Sequence, residues 1–240
     1  SGRSEGKHVS LGFWEKDDLR VAVDHLRASG TVSTIAVWGR SMGAVTALLY
    51  QARDAERGVT TVDAMVLDSP FADFCQLAEE LVAKGRERGV VVPSMVTRMA
   101  LSMLASSVKS VADFDINELN ALKEVPRCRL PALFICAKKD DFIGQHHSQA
   151  LHDAYGGPKA ITVADGDHNT LRSAKSLLAI GAFLQRHLKA PPGAAKDAAV
   201  ALFGSLPWRV RGDALDEQAV GYGRDKVGNL RNTIDRSFGG

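Results

Sequence analysis

Cysteine is scarce in this chain, long apolar runs are missing, and neither sign of charge prevails. The three cysteines, Cys75, Cys128 and Cys136, are an odd number without metal-ligand spacing, which argues against a disulfide framework and against a thiolate metal centre. They fit buried free thiols in a reducing compartment. No stretch approaches the ~18 uninterrupted apolar residues that a bilayer span requires, and the opening Ser1-Gly2-Arg3-Ser4-Glu5-Gly6-Lys7 is polar rather than signal-like. Lys and Arg number 30 against 28 Asp and Glu, a formal net charge of +2. No basic cluster interleaves with aromatics, so nucleic acid is not an expected partner. A soluble, cytoplasmic protein is expected.

What is present is a globular composition: 240 residues, 45% hydrophobic and 24% charged, enough to bury one sizeable core. In residues 15–29 the apolar Leu19, Val21, Ala22 and Leu26 recur at helical spacing between charges, and Gly30 closes the helix. Thr34-Ile35-Ala36-Val37-Trp38 then reads as a strand of the kind buried on both faces of a parallel sheet, ending at Gly39. A helix over 42–53 leads to a second buried strand, Ala64-Met65-Val66-Leu67. Residues 72–123 read as helical pieces broken by Gly85, Gly89 and Pro93, far longer than a simple crossover needs. An inserted lid or cap is the expectation.

Strand, helix and strand resume at 132–137, 145–155 and 159–163, followed by a loop and a last helix at 173–188. The alternation predicts an α/β fold: a mostly parallel sheet flanked by helices, occupying residues 1–189. Residues 190–240, opening with Ala190-Pro191-Pro192-Gly193, read as a flexible tail whose one apolar cluster is Leu202-Phe203, Leu206 and Trp208.

Gly39-Arg40-Ser41-Met42-Gly43 matches G-x-S-x-G and lies between a buried strand and a helix, where that pattern has physical meaning. A serine on so tight a turn needs small neighbours two positions either side, which Gly39 and Gly43 supply. The turn sets Ser41 at a helix start, where free N–H groups and the helix dipole favour a developing negative charge. The Met42 N–H is the expected oxyanion donor.

A serine hydroxyl needs an adjacent base, and the base an orienting acid. Asp140 follows the strand at 132–137, and His168 follows the strand at 159–163 within Asp165-Gly166-Asp167-His168-Asn169. In a parallel sheet all these strands end at one edge, so Ser41, Asp140 and His168 are expected to converge there. Asp141 competes with Asp140 on spacing alone, and Asp68, at a neighbouring strand end, is a further alternative acid. His8 and His25 precede the serine. His146, His147, His152 and His187 suit structural or surface roles, and no His and carboxylate pair at helical ligand spacing near Ser41 points to a metal site.

These segments resemble the α/β-hydrolase superfamily, and within it the serine aminopeptidase-like hydrolases and a plant and protist branch akin to acyl-protein thioesterases. The resemblance rests on Ser1-Gly2-Arg3-Ser4-Glu5-Gly6, the serine pentapeptide, Asp68-Ser69-Pro70-Phe71, Lys139-Asp140-Asp141-Phe142-Ile143 and Gly166-Asp167-His168-Asn169, spanning residues 1 to about 188. In this register the acid falls on Asp140, three residues before Ile143, and Gly144 stands where proline is usual. The resemblance also implies four earlier strands and an oxyanion loop that this sequence does not contain, so it is expected to be the carboxyl portion of a longer protein. Their absence would leave a hydrophobic sheet edge and remove the second oxyanion donor.

The expectation is a serine hydrolase cleaving a small ester, thioester or peptide substrate through an acyl-enzyme on Ser41, with no cofactor and no metal. A hydrolase-fold binding or scaffolding module without turnover is the rival. The apolar residues Leu77, Leu81, Val82, Val91, Met95, Met99, Met103 and Leu104 either pack as ordinary helix faces, the favoured reading, or line an acyl channel.

Overall fold

A computed structural model of the chain describes residues 8–87, 89 and 94–189. The segment at 1–6, the tail at 190–240, Val91 and Pro93 lie outside the described residues. Residues up to Leu171 belong to one compact unit, and Arg172 opens a second.

The first unit is a parallel four-stranded sheet of β1 (Ala36–Arg40), β2 (Ala64–Asp68), β3 (Ala132–Ala137) and β4 (Lys159–Ala164), paired in chain order. Parallel neighbours need long crossovers. Here α2 (Met42–Glu56) joins β1 to β2 and α6 (Gln145–Ala154) joins β3 to β4, while α3 (Phe74–Glu87), α4 (Ser94–Ala112) and α5 (Ala121–Glu124) lie between β2 and β3. An additional helix, α1 (Glu15–Ala28), precedes β1.

Every residue of β2 and β3 is buried, as their unbroken apolar runs predict. β1 departs from expectation. It starts two residues late, runs through Gly39 to Arg40, and leaves Trp38 47% exposed. The reason is its place: β1 borders the described sheet with β2 on one side, and its ladder continues until Arg40 faces Asp68.

α2 is enclosed almost all round, with Ala44, Val45, Ala47, Leu48 and Ala52 among its buried residues, as a helix apolar on several faces must be. In α1 the buried face is not the one expected. Val21, Ala22 and Leu26 are exposed, whereas Val23 is buried with Leu19 packed beside its cluster. Arg27, a turn further along that face, donates to Thr61 O (3.0 Å), Ser33 O (2.9 Å) and Asp63 Oδ2 (2.9 Å), which fixes the helix's rotation.

The insertion is helical, but Gly85 does not interrupt it. α3 continues through that residue to Glu87, and the turn comes at Gly89, whose φ is +95°. A mid-helix glycine costs about 1 kcal/mol relative to alanine, which burial of Leu77 and packing of Leu81 against the main core offset. The apolar residues of the two helices divide: Leu77 is core, but Met95, Met99, Met103 and Leu104 of α4 are exposed. No helix among the described residues is long and apolar enough to cross a membrane.

The second unit is described over 172–189. Its helix, α7 (Ala174–His187), is capped by Ser173, whose side chain accepts from the Ser176 N–H.

Candidate active site

The serine pentapeptide forms a sharp turn between β1 and α2. Ser41 has φ +52° and ψ −120°, a conformation costly for a residue with a side chain, and its N–H donates to Asp68 O at 2.8 Å, carrying the sheet ladder one step beyond the strand. A serine at a helix start ordinarily turns its hydroxyl back to cap the helix. This one makes no such cap bond. Met42 is the first residue of α2, so its amide is one of the four that a helix leaves without an internal acceptor.

The two glycines are not equivalent. A Cβ on Gly39 would stand 2.2 Å from the Gly43 carbonyl oxygen, so no side chain fits there. A Cβ on Gly43 would meet nothing within 4 Å. The expectation that both must be small is corrected accordingly: the turn presses the backbone of Gly43 onto the Cα of Gly39, and only the latter needs to lack a side chain.

Asp140 and His168 lie in the loops after β3 and β4, at the same end of the sheet as Ser41. Asp140 Oδ2 is 2.7 Å from His168 Nδ1, and the Asp140 carboxylate is wholly shielded from solvent. Its other oxygen accepts from Phe142 N (3.0 Å) and Ile143 N (2.7 Å), so the loop folds around the acid. The Phe142 ring lies edge-on to His168 with centroids 5.2 Å apart. The loop is also stitched to the next strand by Lys138 N to Ala164 O (2.8 Å) and Lys139 N to Gly166 O (2.9 Å). A carboxylate on Nδ1 fixes the imidazole so that Nε2 is the nitrogen turned away from the acid.

Of the alternative acids, Asp141 is exposed. Asp68 is buried, accepting from Arg40 Nε at 3.0 Å and from the Ser69 hydroxyl at 3.2 Å. Arg40, the variable residue before the serine, thus ties the turn to β2. Ser69 repeats the strained geometry of Ser41, with φ +52°, at the end of that strand.

Glu80, His146 and His147 form a cluster that sequence reasoning missed, because it joins a helix of the insertion to the start of α6. Glu80 Oε1 is 2.9 Å from His146 Nε2, and Oε2 is 3.1 Å from His147 Nε2. Partial burial pushes the Glu80 carboxyl up, but hydrogen bonds from His146 and Gln76 and the neighbouring histidine charges outweigh it and hold it below its ordinary value. Burial pushes His147 below the ordinary imidazole value, only partly opposed by the Glu80 charge. The one sequence signal was the pair His146-His147 itself.

No family model matches the sequence. A curated relative, the uncharacterized protein YqkD of Bacillus subtilis, is 36% identical over 170 residues, which make up 70% of this chain and 52% of that protein. The chain therefore spans about half the length of the curated relative it matches. Among solved structures, an esterase of Pyrococcus furiosus, Pf2001, superposes with a TM-score of 0.55 at 21% identity, covering 78% of this chain and 67% of that one. An acetyl xylan esterase from Paenibacillus sp. R4 gives 0.53 at 16% identity, over 72% of this chain and 52% of that one. A puromycin-hydrolyzing peptidase of Mycobacterium tuberculosis gives 0.53 at 16%, over 74% and 26%. At such identities the likeness defines the fold, which is part of the α/β-hydrolase fold.

Proposed function

We propose that this chain, which has part of the α/β-hydrolase fold, carries the catalytic serine, acid and base of a serine hydrolase acting on a carboxylic ester, thioester or amide. The observation that supports this best is the 2.7 Å hydrogen bond between a shielded Asp140 carboxylate and His168, at the sheet end that also bears a strained, uncapped serine. The esterase and peptidase names of the structural neighbours agree with this range of acyl substrates, and the resemblance to acyl-protein thioesterases adds the thioester.

In this reading His168 Nε2 takes the Ser41 proton as Oγ bonds to the substrate carbonyl carbon, and the carbonyl electrons move onto oxygen. The Met42 N–H, at the positive end of α2, donates to that oxyanion. His168 returns the proton to the departing alcohol, thiol or amine as its bond to carbon breaks. Water, deprotonated by the same imidazole, then releases the acid and restores Ser41. Asp140 holds the ring and stabilises its charged form.

A fluorophosphonate probe tests this directly. Ser41 is the expected site of labelling in the full-length protein, and Ser41→Ala abolishes it. Asp140→Asn lowers turnover of a p-nitrophenyl ester by about 10³- to 10⁴-fold, the scale seen when an orienting acid is lost, whereas Asp141→Asn leaves it within about threefold. A folded protein that takes up no probe ends the proposal in favour of a binding module, and equal labelling after Ser41→Ala ends it by placing the reactive nucleophile elsewhere.

A further inference from the structure

The acid loop between β3 and α6 must be held still if Asp140 is to orient His168, yet Asp141 and Phe142 on it are exposed. Its outer support comes from the insertion. Lys84 Nζ donates to Asp141 O at 2.7 Å, and one turn earlier on α3 Glu80 holds His146 and His147, immediately beyond the loop. Residues four apart lie on one helix face, so a single face of α3 grips the loop at its crest and at its exit.

Two histidines and a carboxylate with all three ligand atoms within 4.8 Å of one another also have the composition of a divalent metal site. The hydrogen bonding argues otherwise. The Ala72 N–H donates to His147 Nδ1 at 3.3 Å, and a backbone amide can only donate. Nδ1 is therefore the acceptor, and the proton of the neutral ring sits on Nε2, aimed at Glu80. A neutral histidine bound to metal through Nε2 would carry its proton on Nδ1, setting two donors against each other at Ala72. His147 is wholly buried, so its ring cannot turn away cheaply.

We propose that Glu80 and Lys84 are positioning residues: a hydrogen-bonded clamp from the insertion that keeps the Asp140 loop in register with His168. The inference rests on the reading of Asp140 and His168 as acid and base. Glu80 accepts from both histidines, His147 relays the hold to the backbone where the insertion begins, and Lys84 pins the carbonyl next to the acid. Neither side chain touches the reacting atoms. Their effect is on how often the acid and base are correctly aligned, so they act on turnover and not on substrate capture.

The test uses the full-length protein with Glu80→Gln, Lys84→Met and the pair, and Glu79→Gln as a charge control on the same helix. Probe labelling rate, kcat and KM for a p-nitrophenyl ester, and the low-field proton NMR signal of His168 Nδ1–H are measured. Each single variant is expected to lower kcat and labelling roughly tenfold with KM within twofold, and to broaden the His168 signal. Glu79→Gln changes none of these, and Lys84→Arg restores most of the loss. Wild-type rates and an unchanged signal in both Glu80→Gln and Lys84→Met overturn the clamp, and a variant that fails to fold leaves the other to decide. A wild-type protein that does not label removes the hydrolase reading instead, and the clamp then stands or falls on the NMR signal alone. A one-to-one Co²⁺ absorption spectrum, lost in both Glu80→Gln and His147→Asn, would replace the clamp with a metal centre.

Discussion

Gly39 and Gly43 stand symmetrically about Ser41 in the sequence, and the fold treats them differently. Gly39→Ala drives a methyl group into the Gly43 carbonyl, so the turn must open; a loss of at least about 2 kcal/mol in urea unfolding is expected, in the range of overpacking and backbone strain. Gly43→Ala places its methyl in open space on a helix and is expected to be neutral or to stabilise by up to about 1 kcal/mol. The pentapeptide itself was legible. Which glycine it needs was not, because that depends on which backbone atoms approach. Asp140 was singled out from its neighbour by family register, while the wrapping of the loop around one carboxylate oxygen is visible only in three dimensions. Two of the three cysteines are buried thiols as expected, and Cys75 is not buried. Burial pushes the Cys128 thiol up to about 12, and Cys136 is also buried, whereas Cys75 is partly accessible. In the native state at pH 8 only one thiol should react with Ellman's reagent, the other two appearing on unfolding.

Helices 1, 3 and 4 show what periodicity can and cannot say. A 3.6-residue repeat predicts that a face is buried, but not which face wins when a long side chain has its own anchor. In α1 the ties of Arg27 to Thr61 and Asp63 decide for Leu19 and Val23. In α3 the glycine punctuation misled, because packing of Leu77 and Leu81 exceeds the propensity cost of Gly85. In α4 the methionines do not form the packing face that was the favoured expectation, since Met95, Met99 and Met103 are 76%, 60% and 68% exposed. Replacing these three with glutamine should therefore change thermal stability little, within about 0.5 kcal/mol per site. A fall of several kcal/mol would mean that the stripe is covered. The Glu80 cluster could not be read because its members come from helices 66 residues apart in sequence and share no local pattern.

The α/β arrangement was the most legible feature of all, since buried strands alternating with helices admit few topologies. Its stability should depend on acidity in a definite direction. His147 is depressed in the fold, so the unfolded chain binds its proton first as pH drops through the ordinary imidazole value of 6.5. Glu80 is also depressed, so the stability it contributes exists above its ordinary value of 4.5 and is lost as pH falls through its lower folded value. Both groups make the unfolded state bind more protons, so the stability they contribute declines from neutrality toward acid. A tenfold change in proton affinity is worth about 1.4 kcal/mol, so urea denaturation at pH 7 and pH 5 should differ measurably, and His147→Gln should flatten the difference.

Ser41 follows β1 and His168 follows β4, the two outermost strands of the described sheet, while Asp140 follows an inner one. On the proposed function, a centre hung from several strands in this way is disarmed when any one of them loosens, although the others still hold. On warming, esterase activity should then fade several degrees before the calorimetric transition, and amide exchange in β1 or β4 should quicken over the same interval.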